Sequence, residues 1–252
     1  MNITITNEDG DVIKKKTFLT EWFRDDNMRQ YEDMGIYPPG GPPCPENEFN
    51  MWIPFEMEEV TEYKEDTEGM FKILLHFYIF CSRDADIYDV VCKWIGQNIQ
   101  KPGEKSVSLV STGQQGSGKS WVANFLKTIF GQVKVMETES PSQHVWGQFN
   151  NGMEKAFLVV LNELDARETR GAMGKLKGLI TKPTITINKK GLDSYVVDSY
   201  HRFYIPTNHA SMSDEGLTTD NRRFLIVECS SEKIGQRQYF EELNALLQDT
   251  NV

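Results

Sequence analysis

Val107-Ser108-Leu109-Val110-Ser111-Thr112-Gly113-Gln114-Gln115-Gly116-Ser117-Gly118-Lys119-Ser120-Trp121-Val122 is the stretch on which the fold turns. Its middle, Gly113 to Ser120, fits the spacing G-x-x-x-x-G-K-[ST] at every fixed position. Glycines there let the backbone curl until consecutive N–H groups point at phosphates, Lys119 reaches the β- and γ-phosphates, and the Ser120 hydroxyl is a Mg²⁺ ligand. The flanks supply the context that a short motif needs. Val107 to Thr112 alternates as a strand does, and Trp121, Val122, Phe125, Leu126 and Ile129 are spaced as on a helix that Gly131 stops. Strand, glycine-rich loop and helix start follow in the order that sets an anion at the positive end of a helix. The expected ligands are ATP and Mg²⁺, held by Gly113, Gln114, Gln115, Gly116, Ser117, Gly118, Lys119 and Ser120.

Further along, Ala156 to Leu161 is wholly apolar and ends in Asn162-Glu163. A buried strand of a parallel sheet has this composition, and ligands in such sheets lie beyond the C-terminal strand ends. Glu163 is then placed to orient and deprotonate a water. Asn162 stands where an acid is usual, so Ser120 and water carry the metal while Asn162 bonds a bound water; Asp165 is a further acid, read first as a helix cap. Arg202 to Asn208 reads as another strand, with Pro206 near its end and the Asn208 amide beside Glu163 if the two strands are neighbours. Arg222 and Arg223 precede the run Phe224 to Val227. Two arginines there are either a surface ion pair or a finger reaching a nucleotide.

The 252 residues, 39% of them hydrophobic, suffice for one large or two modest domains. No apolar run reaches spanning length, since Lys72 and His76 break the longest, and Met1-Asn2-Ile3-Thr4 is unlike a secretory signal. An intracellular protein without a membrane span is expected. Cys44, Cys81, Cys92 and Cys229 are scattered, without a zinc or disulfide pattern. A net charge of −10 excludes a protein that coats nucleic acid over its whole surface. Yet from Arg170 to Leu192 there are six cations, Arg170, Lys175, Lys177, Lys182, Lys189 and Lys190, and no acid. Such a run is either a solvated face or a local contact for an anionic chain.

The expected organisation is an irregular and helical N-terminal region, 1–102, followed by a nucleotide-binding core, 103–252, with the division near Pro102-Gly103. Residues 1 to about 60 are turn-rich, and Phe49, Trp52 and Phe55 are expected to anchor them. Thr67 to Phe80 and Ile87 to Ile99 have helical spacing. His76, within the first of these, reads as a packed core residue.

In this order the parts resemble the superfamily 3 helicases of viruses and mobile elements, especially the helicase domains of primase-helicases. The resemblance spans about 49–229, through Phe49-Asn50-Met51-Trp52, the phosphate loop, Asn162-Glu163, Leu176 to Thr181, Lys189-Lys190-Gly191, Thr207-Asn208-His209 and Asp220-Asn221-Arg222-Arg223-Phe224. It implies an α/β fold, an AAA+-like P-loop NTPase sheet flanked by helices, assembled into a ring, commonly a hexamer. ATP would lie between subunits and single-stranded DNA in the pore. It further implies that Asn208 senses the γ-phosphate, that Arg222 or Arg223 enters a neighbour's site, and that a lysine on a hairpin from Thr184 to Val197, Lys189 or Lys190, grips the strand. No primase domain is recognisable, which suits one piece of a larger replication machine with a primase as partner. Two alternatives stay open: a loader or packaging motor that does not unwind, and a module that uses ATP only to assemble. A P-loop kinase fits less well, for want of an arginine-rich lid after the Asn-Glu strand.

Overall fold

The computed structural model describes residues 2–6, 12–162, 166–208 and 222–248. Contacts divide the chain into two compact units, Met1–Gly35 with Cys44–Met51, and Ile36–Pro43 with Trp52–Val252. In the smaller unit β1 (Asn2–Thr6) and β2 (Val12–Thr17) pair antiparallel, α1 (Phe18–Trp22) follows, and β3 (Asp33–Gly35) pairs parallel with β4 (Glu48–Asn50). The expectation of an irregular segment up to about residue 60 is corrected here. Asn-Ile-Thr-Ile-Thr is β-branched at four consecutive positions, a composition that suits a pleated strand. Phe49 also departs from the expected cluster, with its ring 5.4 Å from Tyr31 inside this unit. Trp52 and Phe55 belong to the larger unit and pack on Phe157.

The first α-helices of the larger unit are α2 (Thr67–Phe80) and α3 (Ala85–Gln100), each started by an aspartate, Asp66 and Asp84, whose carboxylate accepts from two backbone N–H groups of the first turn. There follow β5 (Ser108–Thr112), α4 (Lys119–Phe130), β6 (Val135–Thr138), α5 (Pro141–His144), β7 (Leu158–Leu161), α6 (Ala166–Thr181), β8 (Thr184–Ile187), β9 (Tyr195–Asp198), β10 (Arg202–Thr207), β11 (Phe224–Glu228) and α7 (Arg237–Leu246). Five strands form one parallel sheet in the order β11-β5-β10-β7-β6, while β8 and β9 make a separate antiparallel hairpin. Counted by core strand, the order is 5-1-4-3-2. It is the helix-flanked parallel sheet expected from the sequence, with the helical pair α2 and α3 before it.

Both sheet faces are covered, and the strand period of two sorts the residues between them. Leu109, Leu158, Val160 and Tyr204 join the core that α2, α3 and α4 build with Phe77, Phe80, Trp94, Leu126 and Phe130. Val110, Val159, Leu161, Phe203 and Ile205 join the opposite core, with Leu176 and Ile180 of α6 and Ile185 and Ile187 of the hairpin.

Pro102-Gly103 is not where contacts break. Arg202, 1% exposed, donates from Nε to Asn98 Oδ1 at 2.8 Å and from its terminal nitrogens to the carbonyls of Tyr200, Lys101, Pro102 and Glu104. One buried guanidinium on β10 thus ties the end of α3 and the linker to the sheet, and the two helices share its core.

Two buried imidazoles give the fold a pH dependence. Desolvation pushes His76 and His201 down from 6.5 to about 4, with Lys233 adding to the effect at His76. As pH falls the unfolded chain protonates first, so stability present above about 6.5 is lost towards about 4. Urea denaturation at pH 7.5 and 5.5 is expected to differ by roughly 3 kcal/mol, given about 1.4 kcal/mol per unit for each of the two groups. Equal stabilities would contradict it.

Candidate nucleotide and nucleic-acid sites

All five sheet strands run the same way, so their C-terminal ends share one edge. At that edge the Gly113–Ser120 loop leaves β5 and enters α4. Gly116 and Gly118 have φ of +84° and +94°, conformations that side chains disfavour. Lys119 is 7% exposed, and its ammonium donates to Gly113 O and Gln114 O, each at 2.8 Å, and to Ser117 Oγ at 3.2 Å. Burial lowers its pKa, with Cys229 opposing. Ser120, in the first turn of α4, is exposed, as are Gln114, Gln115 and Gly116 in the loop before it.

The polar ends of two more strands lie at the same edge. β10 sits between β5 and β7, with Thr207 opposite Thr112, so the exposed Asn208 and Gly113 leave the sheet side by side. Asn162 follows β7 directly, and its amide donates to Glu137 Oε1 at 2.8 Å. Glu137 is a carboxylate on β6 that the sequence did not single out, and Lys127 lies 3.6 Å from it. Glu163 and Asp165 lie outside the described residues, as do His209, Asp220 and Asn221. Among the described residues no group of three or more His, Cys, Asp or Glu is placed to hold a metal.

The loop is braced from below by residues that spacing could not reveal. Tyr204 of β10 shares a hydrogen bond with Ser111 Oγ at 2.8 Å and donates to Lys119 O at 2.9 Å, fixing the start of α4 to the central strand. A Cβ at Gly113 would come within 3.1 Å of Cys229 Cβ, and burial pushes that thiol up to about 12, so it packs rather than reacts.

Arg222 and Arg223 are at the other edge. They directly precede β11, whose Phe224 lies opposite Ser108, the first residue of β5. The loop follows the last residue of β5, a strand length away, about 16 Å at ~3.3 Å per residue. The arginines line a cavity of about 640 Å³ together with Lys93, Trp94 and Lys105. Burial and the nearby Arg202 push the Lys105 ammonium down to about 7.

The hairpin separates the two lysines. Lys189 is drawn onto Glu154 at 2.7 Å, and Tyr195 donates to the same carboxylate. Lys190 is exposed beside Gly191, at φ +79°, and the exposed Leu192. Beneath the hairpin a cleft of about 620 Å³ is lined by Trp146, Lys175, Lys182 and Thr186 among others. Two of the six cations noted in the sequence therefore flank one cleft.

Residues 111–223 match the model of a family of unknown function, DUF5906. The chain is 27% identical over 205 residues to the DNA primase-polymerase of Nitratiruptor phage NrS-1, covering 79% of this chain and 28% of that protein. It therefore spans little more than a quarter of that relative. Two apo structures of the NrS-1 C-terminal region share its fold at 24% identity. One has a TM-score of 0.66 over 84% of this chain and 52% of the other, and the second 0.65 over 86% and 52%. No helix among the described residues is long and apolar enough to cross a membrane.

Proposed function

We propose that this chain is an ATP-driven nucleic-acid motor of the superfamily 3 helicase type, acting in phage or viral DNA replication as a ring of identical subunits. The observation that carries it is the division of polar groups between the two sheet edges. The phosphate loop, Asn162 and Asn208 meet at one edge, and Arg222 and Arg223 stand about 16 Å away at the other, farther than an arginine side chain extends. A chain so built does not complete its own nucleotide site. A second copy presenting its arginine edge does, with ATP between subunits.

In this assignment loop N–H groups and Lys119 hold the phosphates, Ser120 is a metal ligand, and Asn162 orients a water. Glu163 follows Asn162 in sequence and is the base assigned to the attacking water, while Asn208 contacts the γ-phosphate. Mg²⁺, when bound, neutralises charge on the β- and γ-oxygens. The similarity to a phage primase-polymerase supports a replication setting, with DNA as the strand and a primase as a partner.

Lys190 is assigned as the strand-gripping cation, and Lys189, tied to Glu154, as the residue that sets the hairpin's shape. The cleft with Trp146, Lys175 and Lys182 offers more of the same chemistry, cations for phosphates beside a ring for a base. Lys190→Ala is expected to weaken single-stranded DNA binding alike across sequences and to flatten the log-log salt slope by about 0.7. It should also abolish strand displacement while basal ATP turnover survives. A salt series that overlays wild type, with unwinding retained, would remove Lys190 from the mechanism. An ATP-dependent strand-displacement assay on the wild type separates a helicase from a loader or packaging motor. The second reading, a module that uses ATP only to assemble, is favoured by Asn162, an amide where a metal-binding acid would serve hydrolysis.

A further inference from the structure

His76, read from the sequence as a packed residue, lies against the phosphate loop. A Cβ built on Gly118 would stand 3.2 Å from His76 Cε1 and 3.3 Å from its Nε2, so the ring edge rests on the loop's last glycine. Its Nδ1 is 2.9 Å from the hydroxyl of Tyr239 on α7, but the buried Nε2 has no hydrogen-bond partner. Trp121, the residue after Ser120, packs edge-on to His76 with ring centroids 4.5 Å apart, and its buried Nε1 also has none. The two side chains are 1% and 4% exposed. A buried polar atom without a partner costs stability, and two side by side at one loop call for an explanation.

We propose that His76 Nε2 and Trp121 Nε1 are the polar pair that holds the nucleoside part, sugar or base, of the nucleotide whose phosphates occupy the Gly113–Ser120 loop. This rests on the nucleotide-binding reading of that loop. The phosphates are already provided for by the loop N–H groups and by Lys119, whose ammonium lies against Gly113, Gln114 and Ser117. The pair instead borders Gly118 and the first turn of α4, among the rings of Phe77, Phe125 and Phe240. Flat uncharged groups suit that lining, and a multiply charged phosphate chain does not. Phe240 Cε1 would be 3.2 Å from a Gly118 Cβ, as close as His76, and Ile234 borders Gly116. Phe240 of α7 and Ile234 before it therefore border the flank of the loop on which the nucleoside is assigned.

The test compares Mg²⁺-ADP with Mg²⁺-pyrophosphate, a phosphate-only probe, by calorimetric titration of wild type, His76→Asn, His76→Gln and Trp121→Phe, with a thermal melt of each. Asparagine keeps a group at the Nδ1 position for Tyr239 but ends short of Nε2, whereas glutamine reaches it. His76→Asn and Trp121→Phe are each expected to weaken ADP about tenfold, the loss of one hydrogen bond. Pyrophosphate should change by less than about twofold on the same scale, and His76→Gln should keep more ADP affinity than His76→Asn. Equal losses for both probes would make the pair a brace for the loop and overturn the proposal, as would unchanged ADP affinity in folded His76→Asn and Trp121→Phe. Wild type that binds ADP no better than pyrophosphate overturns the nucleoside assignment alone. Wild type that binds neither overturns the nucleotide reading with it.

Discussion

Arg222→Ala or Arg223→Ala, whichever is the finger, lowers ATP turnover by about 10³- to 10⁵-fold, the range over which arginine fingers act. The expectation comes from their place in the sheet. They precede β11, which starts beside the first residue of β5, while the phosphate loop follows the last one, so on the proposed reading the lost charge is one that a neighbouring copy supplies. The variant therefore still binds ATP through its own loop with nearly wild-type affinity. Mixed with Lys119→Ala subunits, whose arginine edge is intact but whose loop is impaired, it regains part of the turnover at interfaces that join its loop to their arginines. Confirmed mixed assemblies with no recovery would contradict a finger acting between copies. Loss of ATP affinity in the arginine variant alone would place its charge in its own site.

Lys119→Ala is expected to weaken ATP binding and to lower turnover by at least about 10²-fold, the scale on which one charge-directed donor matters in a preorganised site. Lys119 is buried but faces Gly113 O, Gln114 O and Ser117 Oγ rather than apolar core, so its removal leaves both cores intact. The thermal midpoint should shift little, within the few degrees that about 1 kcal/mol produces in a chain of this size. A variant that melts far below wild type would recast Lys119 as a structural residue. One that melts normally and turns over ATP normally would remove the loop from the chemistry.

The parts of the site that were legible in the sequence are local ones. The strand, loop and helix around Gly113–Ser120 follow from spacing and glycine placement, and β5 and α4 form there, with Gly131 ending the helix. The apolar run before Asn162, the α2 and α3 periodicities and the Thr184–Val197 hairpin are equally local. What could not be read was pairing across distance. Nothing in Arg202 to Thr207 says that it inserts between β5 and β7, although that insertion brings Asn208 beside the phosphate loop. Nor does the Arg222-Arg223 pair announce its edge, which depends on β11 aligning with β5. Pro102-Gly103 has the composition of a boundary, yet the carbonyls around it are held by Arg202, a residue about a hundred positions later. His76 likewise gives the helical pattern of a core residue, and its contact with Gly118 is visible only in three dimensions. The two hairpin lysines are neighbours in sequence, and only Glu154 tells them apart.

The most direct test is steady-state ATP turnover of the wild-type chain with and without single-stranded DNA, with Lys119→Ala as control. A nucleic-acid motor of the proposed kind hydrolyses ATP, turns over faster when the strand is present, and loses both activities with Lys119. Turnover that is absent under both conditions, indifferent to the strand, or preserved in Lys119→Ala would contradict it.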